Sequence, residues 1–272
     1  MNLSQQNHHI RDDLIHFIEE SHTYFVDTDL ESKYTSVTKI IHSLFEQFDA
    51  DKVIAKMMKG RNWNPSNIYW GKTPDEIKDG WTFKGLLAST AGTKMHNQIE
   101  MFMNNATLLK GYSHEDLLEV YVPMEPVEKE WEHFIRFVTK TLTLKPYRSE
   151  WMVFNEDYKI SGCIDMVYEN EDGTLSIYDW KRCKDIIKKN NFNKSSLVLD
   201  HIPDTNFWHY SLQLNLYKYI LESKYDKKVT QLFLVRLHPE SSNYELIEVP
   251  VLQNETNTII NSHVSTISRP DV

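Results

Sequence analysis

The sequence is poor in cysteine and glycine, and it contains no long apolar run. Its two cysteines, Cys163 and Cys183, cannot supply four thiolates, which excludes a Cys₄ zinc site or an iron–sulfur cluster unless another chain or other ligand types contribute. They imply no disulfide framework either. No stretch reaches the roughly 18 apolar residues of a membrane-spanning helix, and the polar segment from Met1 to Arg11 lacks the apolar region of a signal peptide. We therefore expect a soluble, intracellular protein in a reducing compartment, without a membrane partner.

Basic residues are outnumbered by acidic ones, at 30 to 39, which gives a formal charge of −9. This charge argues against a protein that coats nucleic acid non-specifically, because such binding depends on Lys and Arg neutralising phosphates. It is compatible with an enzyme that has a local basic groove. The charge is also segregated: residues 115–132 contain seven acids and one lysine, whereas residues 181–194 contain six basic residues and one aspartate. We interpret the acidic run as a solvated face.

No linker rich in Gly, Ser or Pro and no internal repeat divides the 272 residues. The length fits one globular domain with an elaboration, because single cores stop growing at roughly 250–300 residues. We predict a single domain over residues 1–272. Within it, residues 1–90 are predicted to form a mainly helical N-terminal elaboration, residues 91–252 the core and residues 253–272 a tail.

Apolar periodicity predicts helices in the first third of the chain. Two are expected within Ser36–Met58, broken near Asp49, and a longer one from Thr73 to Asn104. The long helix carries an apolar stripe that consists of Ala88, Gly92, Met95, Ile99 and Phe102. His96 and Glu100 lie beside this stripe, one turn apart on one face.

The middle of the chain changes to the pattern of strands, with β-branched and aromatic residues between turn signals. An antiparallel meander of three strands is predicted, over Glu150–Phe154, Lys159–Tyr168 and Thr174–Trp180. Another helix and two strands follow, over Thr205–Ser223, Val229–His238 and Asn243–Leu252. This order predicts an α/β or α+β protein with helices flanking a central sheet.

Three charged residues of the meander stand where they can act together. Asp179 and Lys181 project to the same side of the third strand, because side chains alternate along a strand. Asp165 lies on the neighbouring strand, after Gly162, which would let a backbone or a ligand approach closely. Two such carboxylates suit Mg²⁺ or Mn²⁺, and a lysine beside them can orient or deprotonate a water and stabilise charge on a phosphoryl group. A salt bridge and a turn cap explain the same residues without chemistry.

Further residues surround this group in a recurring order. They are Gly92-Thr93-x-x-His96-x-x-x-Glu100, Glu150, Gly162-x-x-Asp165, Asp179-Trp180-Lys181 and Gln213-x-x-x-Tyr217. This series resembles the PD-(D/E)XK nuclease superfamily and is most similar to its RecB-like exonuclease branch, which includes nucleases of phages and large DNA viruses and a mitochondrial genome-maintenance exonuclease. The resemblance covers Gly92 to Tyr217. It implies a restriction-endonuclease-like core with a central mixed sheet flanked by helices.

The resemblance also implies roles for these residues. The implied ligands of Mg²⁺ or Mn²⁺ are His96, Asp165, Asp179 and the main-chain carbonyl of Trp180. Lys181 would be the catalytic lysine, and Glu150 an acidic position that the family uses variably. Gln213 and Tyr217 match a motif that steadies the catalytic residues and touches the nucleic-acid backbone. The ordinary alternatives are a packed helical histidine for His96 and an amphipathic helix surface for the Gln213/Tyr217 pair.

Two other features bear on cofactor and substrate. Some RecB-like exonucleases carry four cysteines for an iron–sulfur cluster, so this chain resembles the members without a cluster, and Cys163 is expected to be a small core residue. Positive charge continues from the catalytic strand, and the nucleic-acid contacts expected there are Arg182, Lys184, Lys188 and Lys189. Arg61 and Trp63 could add a contact and a stacking platform for unpaired bases, whereas Trp70 is expected to pack.

The function predicted from these residues and from the resemblance is that of a metal-dependent DNA nuclease. We expect an exonuclease that acts on single strands or free ends, in replication, recombination or repair, and that leaves a 5′-phosphate and a 3′-hydroxyl. The alternatives are a structure-selective or restriction-like endonuclease and a non-catalytic binding protein with a decayed site. The intact set of Asp165, Asp179 and Lys181 argues against decay. A bacterial cytoplasm, a host cell and a virus-infected cell are equally compatible, and polarity, DNA or RNA preference, metal number and oligomeric state stay open.

Overall fold

The computed structural model describes residues 2–105, 108, 110–122, 128–190 and 194–267. Its helices are α1 (Leu3–Gln6), α2 (Val37–Ser43), α3 (Ala50–Met58), α4 (Pro74–Met103), α5 (His114–Glu119), α6 (Lys129–Lys140), α7 (Asn206–Lys224) and α8 (Gln253–Ile267), with a 3₁₀ turn at Ile10–Leu14. Its strands are β1 (Ile15–Ile18), β2 (Thr23–Val26), β3 (Thr35–Ser36), β4 (Lys145–Asn155), β5 (Ile160–Glu169), β6 (Leu175–Lys181), β7 (Val229–Arg236) and β8 (Glu245–Glu248). None of the helices in these described ranges has the length and apolar character needed to cross a membrane.

A central mixed sheet organises the fold. Its strands follow the order β3-β5-β6-β7-β8, and β4 pairs with β5. The predicted meander is confirmed, because β4, β5 and β6 pair antiparallel in sequence. β6 and β7 are parallel neighbours, and α7 connects them. This arrangement is the predicted α/β fold of the restriction-endonuclease-like kind, with helices flanking the sheet.

Each face of the sheet is covered by its own apolar core. On one face, α2, α7 and α8 contribute buried side chains such as Ile41, Leu216 and Ile259. On the other face, α4 and α6 contribute side chains such as Ile99 and Phe137. Burying a large aliphatic or aromatic side chain contributes roughly 1.5–3 kcal/mol, so both cores hold the helices firmly against the sheet.

The predicted helices of the first third are confirmed, and their ends follow from local capping. Asp49 caps α3 by accepting a hydrogen bond from the Lys52 amide at 3.0 Å. Thr73 and Glu76 form a capping box at the start of α4, with Pro74 in the first turn. These signals lie within four residues of each helix end, which is why the sequence reveals them.

The structure adds detail to two predicted segments and corrects one feature of α4. The predicted tail, residues 253–272, contains helix α8, whose Ile259 and Ile260 are buried in the first core, because the helix covers apolar surface on α7. The N-terminal elaboration contains the hairpin β1–β2 as well as helices. Ala88 of the apolar stripe is exposed, because the stripe meets the core only from about Met95 onward. Residues 268–272 lie outside the described residues.

Candidate active site

The site begins where β5 and β6 separate. Their antiparallel pairing ends at Met166 and Tyr178, and the next residues toward the site are Asp165 and Asp179. In place of a ladder hydrogen bond, the Trp180 amide donates to Asp165 Oδ2 at 2.9 Å. The divergence of the two strands opens the space in which both carboxylates lie.

Asp179 and Lys181 form an ion pair, with 2.6 Å between Oδ2 and Nζ. Gln213 of α7 donates to the other oxygen of Asp179 at 3.3 Å, and the Lys181 ammonium lies 4.5 Å from the centre of the Tyr210 ring. Burial disfavours the charged lysine, but Asp179 and Asp165 outweigh burial and raise the pKa of Lys181. Lys181 is therefore a cation at neutral pH.

A second cluster brings together His96, Glu150 and Asp165. One ligand atom from each lies within 4.8 Å of the others. His96 Nδ1 is 3.5 Å from Glu150 Oε1 and 3.7 Å from Asp165 Oδ2. The carbonyl of Trp180, 3.2 Å from His96 Nε2, can only accept, so Nε2 donates and Nδ1 faces the carboxylates. Asp179, which is also a predicted ligand, contacts Lys181 and Gln213.

The cluster has the donor types that a divalent cation requires. Two carboxylates suit Mg²⁺ or Mn²⁺, and the imidazole adds a nitrogen that favours Mn²⁺. Burial lowers the pKa of His96, yet Asp165 and Glu150 outweigh burial and raise it to about 9. Without metal, a protonated imidazole thus supplies positive charge between the carboxylates. A metal ion would replace that proton, so its affinity should rise with pH.

Glu150 has an unusual backbone. It lies in the middle of β4, between the pairs Ser149–Met166 and Trp151–Ile164, and therefore opposite Asp165. Its φ is +43°, which is uncommon for a residue other than glycine and costs on the order of 1–3 kcal/mol. The prediction put Glu150 at the start of its strand, but β4 begins five residues earlier.

Asp12 braces β4 on both sides of Glu150, and the sequence analysis did not identify it. Its carboxylate accepts from Arg148 Nη1 at 2.5 Å and from Trp151 Nε1 at 2.8 Å. Both partners are almost fully buried. Because Asp12 lies more than 130 residues before them, no local pattern signals this contact.

Gly162 of β5 lies in close contact with the Tyr217 ring of α7. A Cβ atom at Gly162 would lie 2.7 Å from Tyr217 Cε1, so the glycine makes room for the tyrosine ring. The close approach predicted at Gly162 is thus made by a side chain of α7. Cys163 was expected to be a core residue, but its thiol donates to Glu150 Oε2 at 3.4 Å, which links it to the cluster.

The basic run after β6 is largely engaged in contacts within the protein. Arg182 pairs with Glu130 at 2.6 Å, Lys184 with Glu240 at 3.1 Å, and Lys194 with Glu46 at 2.7 Å. The Lys188 ammonium lies 4.5 Å from the Phe207 ring centre, and Lys189 is exposed. Glu130 is nearly buried, which corrects the interpretation of the acidic run as wholly solvated. Residues 123–127 and 191–193 of the two runs lie outside the described residues.

Arg61 and Trp63 lie on the loop between α3 and α4. Arg61 is exposed, and Trp63 is half-buried, with its ring centre 5.6 Å from that of Trp70. Trp70 was expected to pack, yet 47% of it is exposed, because the loop extends beyond the two cores.

Comparisons with known proteins identify the family of the chain. The family model of the PD-(D/E)XK nuclease superfamily matches residues 39–269. No curated protein matches the chain. A provisionally assigned exonuclease from Eubacterium rectale, a solved structure, matches at 13% identity and a TM-score of 0.40, over 88% of this chain and 84% of that one. The structure of SSO0001 matches at 15% identity and a TM-score of 0.26, over 45% of this chain and 51% of that one, so the match spans about half of SSO0001.

Proposed function

We propose that this chain, which belongs to the PD-(D/E)XK nuclease superfamily, is a Mg²⁺- or Mn²⁺-dependent deoxyribonuclease. We infer an exonuclease of the RecB-like type that acts on single strands or free ends during DNA replication, recombination or repair. The observation that carries the proposal is the convergence of His96, Glu150 and Asp165 next to the Asp179–Lys181 pair. Ionisable groups whose pKa values are shifted by burial and by a specific charged partner, as His96 and Lys181 are, cluster at functional sites.

The cation would be held by His96 Nδ1 and by oxygens of Glu150 and Asp165. When bound, it supplies positive charge at the scissile phosphate and eases deprotonation of the attacking water. The Trp180 carbonyl, predicted as a direct ligand, has the role of orienting the His96 ring in this proposal. Asp12 has the role of holding Glu150 in its strained backbone conformation.

Lys181 would act on the phosphoryl group itself. Its ammonium stabilises the negative charge that develops on a non-bridging oxygen during attack, and it needs no deprotonation to do so. Asp179 holds the ammonium in place, and Gln213 holds Asp179. Tyr217 supports the same region by packing on Gly162. Hydrolysis in this arrangement leaves a 5′-phosphate and a 3′-hydroxyl by analogy with the family.

The substrate would approach from the side of His96 and Glu150. Their side chains are 27% and 30% exposed, whereas the side chain of Asp179 is 3% exposed. Arg182, Lys184, Lys188 and Lys189 remain proposed contacts for the strand beyond the site. Because Arg182 and Lys184 already pair with glutamates, the exposed Lys188 and Lys189 are the more available of the four.

End-labelled DNA tests the proposal directly. Linear and circular substrates, single-stranded and duplex, are incubated with Mg²⁺, with Mn²⁺ and with a chelator. We expect linear DNA to be degraded only with metal and circular DNA to survive. Cleavage of the circles would replace the exonuclease by an endonuclease. Full activity in the chelator, or no cleavage of any substrate, would contradict the proposal.

A further inference from the structure

One segment carries a charge opposite to that of the whole chain. We call residues 50–94 the arm; it comprises α3, the loop that follows it, and the first five turns of α4. The arm contains eight basic and four acidic side chains, a formal charge of +4, whereas the rest of the chain carries −13. Such a contrast favours a polyanionic partner at the arm.

Most of the arm's cations have no partner of opposite charge among the residues that the structure describes. Lys52 pairs with Asp49, Lys78 with Asp51 and Asp75, and Lys94 with Glu128. For the other five, no carboxylate of the described residues lies within ion-pair distance, and all five are exposed. They are Lys56, Lys59, Arg61, Lys72 and Lys84. This differs from the basic run at 181–194, where the structure pairs Arg182, Lys184 and Lys194 with glutamates.

Aromatic side chains are interleaved with these cations. Trp70 is 47% exposed and Phe83 is 60% exposed, and Phe48, at the edge of the arm, is 72% exposed. The loop that carries Trp70 is fastened to α4, because Trp81 Nε1 donates to the Tyr69 hydroxyl at 2.9 Å. This hydrogen bond ties the loop of Trp70 to the helix that carries Phe83. Cations interleaved with exposed rings are the surface that binds unpaired nucleic-acid strands, on which bases stack and phosphates pair.

The arm and the cluster are joined by one continuous helix. Lys84 precedes His96 by twelve residues of α4, which places them about 18 Å apart along the helix axis. His96 lies in the buried part of α4 and Lys84 in the exposed part. A strand held on the arm is thus within a few nucleotides of the cluster.

We propose that the arm is the tether for single-stranded DNA, which deepens the proposed function and rests on it. Duplex DNA fits less well, because its paired bases cannot stack on Trp70 or Phe83. A second copy of this chain fits less well too, because a two-fold contact would bring two arms of charge +4 together. The single strand passes from the arm to the cluster, and the basic run contributes less than the arm.

The test measures binding of the full-length protein to labelled oligo(dT), by fluorescence anisotropy without divalent cations across a salt series. The charge variant is Lys59→Ala/Arg61→Ala/Lys84→Ala, and the ring variant is Trp70→Ala/Phe83→Ala. The matched control is Lys140→Ala/Lys145→Ala/Lys228→Ala, which removes three exposed cations outside the arm. We expect the charge variant to bind at least tenfold more weakly and to lose about two units of salt slope, at roughly 0.7 per phosphate contact. The ring variant should bind oligo(dT) about tenfold more weakly, and its salt slope should equal that of the wild type.

Thermal unfolding shows whether each variant is folded, and the single variants Arg61→Ala and Phe83→Ala replace any variant that is not. Equal affinity and slope for the charge variant and the control would overturn the proposal. A loss confined to duplex DNA would also overturn it. Leu86 and Leu87 are exposed apolar residues of the arm, at which a second copy of the chain could bind. The proposal would also be overturned if Leu86→Ser/Leu87→Ser abolished a self-association while oligo(dT) binding stayed unchanged. Because the assay involves no cleavage, a protein that binds through the arm but cuts nothing would refute the proposed function alone.

Discussion

The charged residues near the two ends of helix α4 differ in pairing and in exposure. At its C-terminal end, His96 belongs to a cluster in which each ionisable group contacts another and little of it is exposed. In the arm, Lys84 and Arg61 are exposed and have no carboxylate of the described residues at ion-pair distance. Mutual pairing in a partly buried site fixes charges in position for chemistry, whereas unpaired surface charges are available to a partner. The overall charge of −9 conceals this division.

The largest expected effect is on the cleavage rate, without a matching effect on DNA affinity. Asp179→Asn should slow cleavage roughly 10³-fold, because it removes the charge that positions Lys181 while it preserves the shape of the side chain. Affinity for oligo(dT) should stay close to that of the wild type, because the arm is untouched. Single-turnover rates of an end-labelled strand, paired with anisotropy, measure both quantities.

Asp200→Asn serves as the control for that variant, because Asp200 is fully exposed. A near wild-type rate of Asp179→Asn in Mg²⁺ would refute the proposed site. If Asp179→Asn lost as much affinity for oligo(dT) as cleavage rate, the idea that the cluster cleaves and the arm binds would be refuted.

The second effect concerns His96 and the choice of metal. His96→Ala should lower Mn²⁺-supported activity by about 10- to 100-fold and Mg²⁺-supported activity less, because a nitrogen ligand favours the transition metal. Mn²⁺ titrations of both the rate and the heat of binding check this. His42→Ala, which removes an exposed histidine outside the cluster, is the matched control. Unchanged titration curves for His96→Ala would mean that His96 only packs.

A third prediction concerns a buried histidine behind the site. His114 contacts the Tyr168 hydroxyl and Thr141, and burial lowers its pKa to about 3. Its ordinary pKa is about 6.5, so below that pH the unfolded chain takes up a proton that the folded protein does not. The contribution of neutral His114 to the free energy of unfolding is therefore fully present above pH 6.5. It should fall by about 1.4 kcal/mol per pH unit as the pH drops from 6.5 toward 3.

Urea unfolding at pH 7, 6 and 5 measures this slope. His114→Gln should show a shallower slope than the wild type, whereas His42→Gln, a change at an exposed position, should match the wild type. Parallel slopes for the wild type and His114→Gln would show that other groups cause the pH dependence.

The smallest effect is expected at the basic run. Lys188→Ala/Lys189→Ala should reduce the salt slope of oligo(dT) binding by at most about one unit, because Lys188 already packs on the Phe207 ring. The charge variant of the arm should lose about twice as much. If the Lys188/Lys189 variant loses more salt slope than the charge variant of the arm, the basic run and not the arm is the main binding surface for the strand.

The sequence alone determines those features that depend on neighbours in the chain. Thr73, Glu76 and Pro74 set the start of α4 through hydrogen bonds and backbone angles within one turn. The meander follows from strand periodicity and turn residues, and the family follows from the order of motifs along the chain. The candidate site residues were also proposed from that order, and their roles stay predictions.

Only the tertiary structure decides which of these residues meet. The packing of α4 on the sheet brings His96 to Glu150 of β4 and Asp165 of β5, while Asp179 contacts Lys181. The brace from Asp12 to β4 and the pair between Arg182 and Glu130 join residues far apart in sequence. Such contacts depend on how the sheet and helices pack and leave no periodic or local signal. For the same reason, the sequence could suggest that residues 181–194 are available to DNA, but only packing shows which cations are already paired.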